Sequence, residues 1–380
     1  MEVILNAGLG IGILMFLLLL FKRDKNCQDY FFLCWILITL LQILFYEITL
    51  YRFELHGFWA IASFGLPLLG GPLLFLYILS LTGHHASWPT IIIHLGLYFV
   101  FVGVLFFLQE YNDITLMASE GYIQIPSNPP KWMLYYAIPL AVSGLVYCIW
   151  DLLLLHRHRK NIVDLFSFDE KISLNWVRYV VYSYFILFIL ASFLIFGATQ
   201  FQLFPMKEAF AFVGIVLSLM LVAFGFYGFR QTSIFSNLNV GVDKIASIER
   251  KGSPMGVYAK SGLDVEKIEN LANELAACMK KEMPFLNENL SLPTLAEQCS
   301  ISQAQLSQVI NQHFQMNFYD FVNQYRIEEA KKRLLSPDFD HLSILGIAFD
   351  CGFKSKSSFN RYFKKNTGIS PSEFKKKQTK

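Results

Sequence analysis

The chain has few charged residues and few cysteines, and its polar residues lack the spacing of common catalytic motifs. Of its 380 residues, 16% are charged and 54% are hydrophobic, whereas about 25% of an ordinary soluble domain is charged. The six cysteines include no Cys-x-x-Cys pair and predict neither a zinc knot nor a disulfide framework. No nucleophile elbow or phosphate loop occurs, and the glycines of residues 8–12 lie inside an apolar run. We therefore expect no enzyme and no catalytic, cofactor or metal site.

Long apolar stretches fill the first 230 residues. Each is long enough for a helix that crosses a bilayer, which needs roughly 20 residues. Glu2 precedes the first stretch and Lys22-Arg23 follow it, the reverse of a cleaved signal peptide. Residues 1–230 therefore predict a seven-helix transmembrane domain with its N-terminus outside. The seven stretches are residues 3–21, 30–50, 58–81, 89–108, 132–155, 177–198 and 208–229.

Basic residues are distributed unevenly among the loops between these stretches. Residues 22–29, 82–88 and 156–176 contain seven lysines and arginines, and the alternate loops contain three. Because basic loops tend to stay in the cytoplasm, the three basic loops and the C-terminal region are predicted to be cytoplasmic. Glu47 and Arg52 would then lie near the outer end of the second helix, where they either face an external ligand or are solvated at the interface.

The last third of the chain is polar and basic. Residues 1–229 hold 11 basic and 13 acidic side chains, whereas residues 230–380 hold 21 and 16. Residues 231–262 are rich in glycine, serine and asparagine and lack strong periodicity, which predicts a cytoplasmic linker. Residues 263–380 have the apolar periodicity of soluble helices. The predicted fold class is therefore all-α, a seven-helix transmembrane bundle followed by a soluble domain.

Two segments of the soluble domain have the same design. Near the C-terminus, a short apolar helix over residues 344–351 is followed by a Gly352-Phe353 turn and a second helix that Ser355 caps. The segment over residues 291–314 repeats this pattern, and Ser302 begins a capping box there. These are two predicted helix-turn-helix units, joined by a helix over residues 318–335. The buried faces of their second helices are Leu306, Val309 and Ile310 in the first unit and Phe359, Tyr362 and Phe363 in the second.

The outward faces of the two second helices carry polar and basic side chains. A helix-turn-helix unit places its second helix in the major groove of DNA. Glutamine and asparagine can pair with adenine there, and arginine or lysine with guanine. Basic residues of the C-terminal tail can neutralise phosphates, or alternatively contact anionic lipid. The predicted DNA-binding residues are Gln303, Ala304, Ser307, Gln308 and Asn311 in the first unit, and Lys356, Ser357, Asn360, Arg361 and Lys364 in the second.

The sequences LAEQCSISQAQLSQVI and IAFDCGFKSKSSFNRYFKKNTGISPSEF resemble the two half-motifs of the AraC/XylS transcription regulators. The resemblance covers roughly residues 263–376 and implies a domain that binds promoter DNA. With a multi-span domain in place of a soluble ligand-binding domain, the chain resembles membrane-anchored regulators of this family. Two positions depart from the pattern: Ser300 occupies a turn position where glycine is common, and Gly346 lies inside a helix. Each can cost up to about 1 kcal/mol.

Three functions remain open for the membrane part. The spans can sense a signal for a one-component transcription regulator, they can form a transporter or receptor with an appended DNA-binding module, or they can serve as an anchor only. The resemblance implies double-stranded promoter DNA and RNA polymerase as partners. The spans imply a lipid bilayer, the bacterial inner membrane, and a homodimer is a further expectation. The signal, the operator and the direction of regulation are not readable from the sequence.

Overall fold

The structure is a computed structural model, and it describes residues 1–84, 86–124, 129–168, 174–235 and 265–378. It confirms the predicted all-α class, with helices as the dominant element and three short strands among the described residues. The chain divides into two compact units. The first comprises residues 1–155 and 175–243, and the second comprises residues 156–174 and 244–380. Most of the predicted linker, from residue 236 to residue 262, lies outside the described residues.

The first unit contains the seven predicted apolar stretches. All seven are helical, and each is long and apolar enough to cross a membrane. The third stretch is divided between two helices. The helix of the fifth stretch continues beyond it to Leu165, and its residues 156–165 belong to the second unit. The helices are α1 Glu2–Leu20, α2 Cys27–Tyr51, α3 Gly57–Phe64, α4 Pro67–Leu81, α5 Trp88–Tyr111, α6 Ile138–Leu165, α7 Asn175–Gln200 and α8 Met206–Phe235.

The centre of this unit is formed by α2 and α4, and α1 and α8 pack against α2. The third stretch is 78% buried within the protein, whereas the fourth is 17% buried. Apolar side chains that stay exposed on the outer helices are those that a bilayer would solvate. A small antiparallel sheet has the order β1 Leu55–His56, β2 Met117–Ser119 and β3 Tyr122–Ile123, with Ala118 opposite both Leu55 and Ile123.

The glycines of residues 8–12 have a packing role. A Cβ atom on Gly8 would lie 2.5 Å from the Cβ of Ser218, and one on Gly12 would lie 2.5 Å from Leu221 Cδ2. Both contacts are with α8, so the Gly-x-x-x-Gly pattern allows α1 to approach α8 closely. This is the way small residues act between helices in membranes. The sequence placed these glycines inside an apolar span, but it did not predict this packing.

The candidate external charges at the end of α2 pair with one another. Arg52 Nε donates to Glu47 Oε1 over 2.8 Å, and Arg52 Nη2 donates to Glu2 Oε1 over 2.7 Å. Glu47 is buried, whereas half of the Arg52 side chain is exposed. The ion pairs therefore connect the start of α1 to the end of α2.

The described residues of the second unit after residue 264 form seven further α-helices. The predicted helix over residues 318–335 is present with those bounds, and the two predicted helix-turn-helix units flank it. A short helix after Gly368 was not predicted. The helices are α9 Val265–Lys281, α10 Leu292–Gln298, α11 Gln303–Gln312, α12 Phe318–Leu335, α13 Ile344–Asp350, α14 Lys356–Thr367 and α15 Pro371–Gln378.

Two apolar clusters form the core of this unit, one for each helix-turn-helix pair. Ile268, Leu271, Leu275 and Met279 of α9 pack with Leu306, Val309 and Ile310 of α11 in the first cluster. The second cluster contains Phe359 and Phe363 of α14 together with residues of α13. Because α12 contributes side chains to both clusters, it joins the two pairs as predicted. The turn before α14 is one residue longer than the turn before α11.

Candidate nucleic-acid interface

In the second helix-turn-helix unit, the recognition helix α14 is held in place by hydrogen bonds to α12. Ser355 Oγ caps the helix by accepting from the Ser358 amide over 3.2 Å, and Gly368 ends it at a φ of 78°. Tyr362 Oη donates to the Asp320 side chain over 2.9 Å and to its carbonyl over 3.0 Å. Burial, followed by the nearby Asp320 carboxylate, raises the pKa of Tyr362, so its hydroxyl stays a donor. These contacts fix the rotation of α14 about its axis.

The outward face of α14 is accessible along its length. Arg361 Nη2 donates to Tyr319 Oη over 3.1 Å, which orients the guanidinium while its surface stays exposed. The oriented, exposed guanidinium can reach a guanine edge or a phosphate. All five predicted contact residues of this helix are exposed: Lys356, Ser357, Asn360, Arg361 and Lys364.

The outward face of α11 is only partly accessible. Its capping box is formed as predicted, since Ser302 Oγ accepts from the Gln305 amide and Gln305 Oε1 accepts from the Ser302 amide, both over 3.3 Å. Gln303 and Asn311 are exposed and Ala304 is half-buried, whereas Ser307 and Gln308 are 9% and 5% exposed. Base reading by Ser307 and Gln308 stays a prediction, and it requires that their side chains become exposed.

The turns of the two helix-turn-helix units each contain one residue in the left-handed backbone conformation, a serine in the first unit and a glycine in the second. Gly352 has a φ of 86°, which suits glycine because it lacks a Cβ. Ser300 has a φ of 56°, a left-handed conformation that costs a non-glycine residue free energy. The departure from the family pattern at Ser300 therefore coincides with backbone strain in the first turn.

Several lysines surround α14 and α15, but some are already paired. Lys365 Nζ lies 3.1 Å from Asp320 Oδ1, and Lys375 Nζ lies 3.0 Å from Asp340 Oδ1. Lys364, Lys376 and Lys377 are exposed. The unequal pairing predicts unequal contributions of these lysines to phosphate binding.

Arg326 is a key residue of this unit that the sequence reasoning missed. It is 1% exposed and lies in the middle of α12. Its guanidinium donates to the carbonyl oxygens of Phe285, Asn287 and Ser167 over 2.7, 2.8 and 2.9 Å. The available signal was its spacing, because Arg326 occupies the i+4 position between the buried residues Val322 and Ala330. A charge in an apolar stripe indicates a buried polar contact.

Comparisons with known proteins support the DNA-binding assignment. Residues 295–377 match a protein family described as "Helix-turn-helix domain". The chain is 29% identical to the probable transcription factor PqrA of Proteus vulgaris over 111 residues, which are 29% of this chain and 88% of that protein. No solved structure matches the chain.

Two further relatives match the same part of the chain. One is an uncharacterized HTH-type transcriptional regulator of Staphylococcus aureus (strain COL), 36% identical over 98 residues, which are 26% of this chain and 13% of that protein. The other is the uncharacterized HTH-type transcriptional regulator YijO of Escherichia coli (strain K12), 33% identical over 87 residues, which are 23% of this chain and 30% of that protein. The similarity thus concerns the C-terminal domain, which is a helix-turn-helix domain of the AraC type.

Proposed function

We propose that this chain, whose C-terminal part is an AraC-type helix-turn-helix domain, is a membrane-bound one-component transcription regulator. In this proposal the seven apolar helices span the bacterial inner membrane with the N-terminus outside. The DNA-binding domain is cytoplasmic and reads promoter DNA. The observation that carries the proposal is the presence, in one chain, of seven helices able to cross a membrane and a domain with an exposed, anchored recognition helix.

The chemistry of α14 supports sequence-specific reading of DNA. An arginine that is already oriented by a hydrogen bond loses little side-chain freedom when it binds a base. A good bidentate contact is worth about 1–3 kcal/mol of discrimination against the wrong base. Arg361 and Asn360 are therefore proposed to read bases, while Lys364 contacts the phosphate backbone.

The experiment is selection of genomic DNA fragments by the full chain in nanodiscs, across a salt series. We expect one enriched site whose preference Arg361→Ala relaxes, while Lys364→Ala lowers affinity for all sequences alike. Lys331→Ala is the control, because Lys331 pairs with Glu328 on α12 over 2.8 Å. Salt-sensitive binding without any enriched site would overturn the regulator proposal in favour of a basic docking module.

We propose two states of the DNA-binding domain, because Ser307 and Gln308 belong to the predicted reading face but are buried. In the first state these side chains are covered, and the domain reads DNA only through α14 of the second helix-turn-helix unit. A second state exposes them and allows α11 to enter a neighbouring major groove, one helical turn of DNA away. Footprinting distinguishes the two states, because the protected length grows by about one turn, or roughly 10 base pairs, when both units bind.

A buried acid in α6 supports sensing by the membrane domain over a purely anchoring role. Asp151 is 1% exposed and lies 13 residues after the start of the helix, about 20 Å along its axis. One of its carboxylate oxygens has no hydrogen-bond partner among the described residues. One turn earlier, Tyr147 Oη lies 2.8 Å from His94 Nδ1. Ionisable residues inside membranes are functional suspects by default.

Replacement of Asp151 separates the three roles of the spans. If the spans sense a signal through this residue, Asp151→Asn will keep promoter binding but change its dependence on growth conditions in a reporter strain. An anchor would be indifferent to this change, and a transporter would lose uptake without altering the reporter. RNA polymerase and a second copy of the chain are the partners that we propose for the output.

A further inference from the structure

We propose that residues 162–168 are a docking segment through which the membrane domain controls the orientation of the two helix-turn-helix units. The proposal rests on the proposed function. The segment precedes the sixth apolar stretch and follows the fifth, so both of its ends continue into spans. Nevertheless, residues 156–174 belong to the same compact unit as the DNA-binding helices.

The docking segment is part of the core of that unit. Ile162, Leu165, Phe166 and Phe168 are each at most 9% exposed and pack in the first apolar cluster. Val163 packs against the second cluster. A seven-residue segment thus contributes side chains to the cores of both helix-turn-helix units. Removal of these side chains from water is favourable by roughly 25 cal/mol per Å², which gives the contact a strong driving force.

The backbone of the segment is also specifically paired. The Ser167 amide donates to the Leu290 carbonyl over 3.2 Å, and Ser167 Oγ donates to the same oxygen over 2.7 Å. Phe166 forms an antiparallel bridge with Ser291, the residue that caps α10. These bonds fix the register of the docking segment against the first unit.

Arg326 connects the docking segment to both helix-turn-helix units. Its Nη1 and Nη2 donate to the carbonyl and the hydroxyl of Ser167 over 2.9 and 3.0 Å. Nε donates to the Phe285 carbonyl before the first unit. A Cβ on Gly352, in the turn of the second unit, would lie 2.9 Å from the same Nε. Movement of Ser167 therefore disturbs a guanidinium that lies beside the approaches to both helix-turn-helix units.

A second contact reaches the turn of the second unit directly. Lys354 Nζ lies 3.4 Å from the centre of the Phe168 ring, and it donates to Asn289 Oδ1 over 2.6 Å. A cation over an aromatic ring is held electrostatically. Lys354 directly precedes Ser355, the cap of α14, so displacement of Phe168 acts two residues before the start of the second recognition helix.

This arrangement gives a physical route for a signal. Two recognition helices bind successive major grooves only if their separation and angle are right. The docking segment holds both units, and its own ends are attached to spans five and six. A shift of these spans that withdraws the docking segment loosens the packing between the two helix-turn-helix units, and DNA binding weakens as a result. By thermodynamic reciprocity, operator DNA must stabilise the docked segment.

The experiment uses the full chain in nanodiscs of phosphatidylethanolamine and phosphatidylglycerol, with the DNA site that the wild-type chain selects. Ser167→Ala removes only the hydroxyl bonds, and Phe168→Ala removes a core side chain. Arg159→Ala is the control, because Arg159 is exposed on the preceding turns of α6. The readouts are operator affinity and the hydrogen-exchange rates of residues 162–168 and 285–291.

We expect both variants to accelerate exchange in these segments and to weaken operator binding about tenfold, with no effect of Arg159→Ala. Operator DNA should slow exchange of residues 162–168 in the wild-type chain. Faster exchange with unchanged operator affinity would overturn the proposal, because the segment would then be structural only. Failure of the wild-type chain to select any site would instead remove the proposed function, while the exchange rates would still test whether the segment docks.

Discussion

The guanidinium of Arg326 binds Ser167, 159 residues earlier in the chain, through both its carbonyl and its hydroxyl. Arg326 makes five hydrogen bonds to neutral acceptors among the described residues, three of them to main-chain carbonyls. A buried guanidinium is stable only when its donors are satisfied. The contact therefore ties the stability of α12 to the docking segment.

Replacement of Arg326 should strongly destabilise the second compact unit, which contains both helix-turn-helix units. Arg326→Met leaves the Phe285 carbonyl oxygen without the donor that Arg326 supplies, at about 1–3 kcal/mol for an unsatisfied group. It also removes one of the donors to the carbonyl oxygens of Ser167 and Asn287, which keep the Asn323 side chain and the Leu290 amide. We expect the opening free energy of α12, measured by native-state hydrogen exchange on the full chain, to fall by about 3 kcal/mol or more. Lys332→Met is the control, since the Lys332 side chain is 77% exposed, and it should change this free energy by less than about 0.5 kcal/mol. Equal values for the two variants would show that the Arg326 contacts contribute nothing.

Removal of the Tyr362 hydroxyl should loosen α14. Tyr362→Phe loses the two bonds to Asp320 at an almost unchanged shape, which predicts a loss of about 1–2 kcal/mol. Hydrogen exchange of the α14 amides measures the loss. Tyr325→Phe is the control, because the Tyr325 ring packs on Phe285 and Phe321 and its hydroxyl has no hydrogen bond in the described part of the chain. An equally large loss in the control would mean that ring packing, not the hydroxyl, holds α14.

The two turns should respond in opposite directions to substitution. Ser300→Gly removes the strain of a non-glycine residue in the left-handed conformation, and it should stabilise the first helix-turn-helix unit by up to about 1 kcal/mol. Gly352→Ala adds a Cβ that would lie 2.5 Å from the Phe285 carbonyl oxygen and 2.9 Å from Arg326 Nε. The free energy of unfolding of the second helix-turn-helix unit should therefore fall by about 2 kcal/mol or more. Exchange of α11 and α14 amides measures both. Destabilisation by Ser300→Gly would show that its hydroxyl matters more than the strain.

The lysines of the C-terminal helix should differ in their contribution to DNA binding. Lys376→Ala and Lys377→Ala should each reduce the slope of log affinity against log salt by about 1, because each removes one phosphate partner. Lys375 is held by Asp340, so Lys375→Ala should reduce the slope less. Operator titrations at several salt concentrations provide the measurement. An unchanged slope in Lys376→Ala and Lys377→Ala would place this tail away from DNA.

The Cys351 thiol should be inert in the folded chain. Burial is the main cause that raises the pKa of Cys351 to about 12, and the thiolate is the reactive form. At pH 8 only about one thiol in 10,000 is then ionised. Alkylation followed by mass spectrometry should label Cys278, which is half-buried, well before Cys351. The Cys351 rate should rise about tenfold per pH unit up to pH 11. Rapid labelling at pH 8 would show that this core opens readily.

The sequence determined the local elements of both parts of the chain. Apolar runs of membrane-spanning length predicted the helical stretches of the first compact unit, because a segment in a bilayer must satisfy its own backbone hydrogen bonds. The spacing of Phe359, Tyr362 and Phe363 gave the face of α14, and the side chains of Ser302 and Ser355 gave two helix starts. All of these follow from interactions within a few residues, which a linear pattern records.

The tertiary structure alone decided which distant residues meet. Nothing in a helical period links Ser167 to Arg326, or Phe168 to Lys354, since such contacts depend on how folded elements pack rather than on their spacing along the chain. The same holds for Ser307 and Gln308, whose outward positions on α11 were predicted but whose burial was not. Periodicity fixes the face of a helix on which a side chain lies, whereas packing between remote segments decides what covers that face.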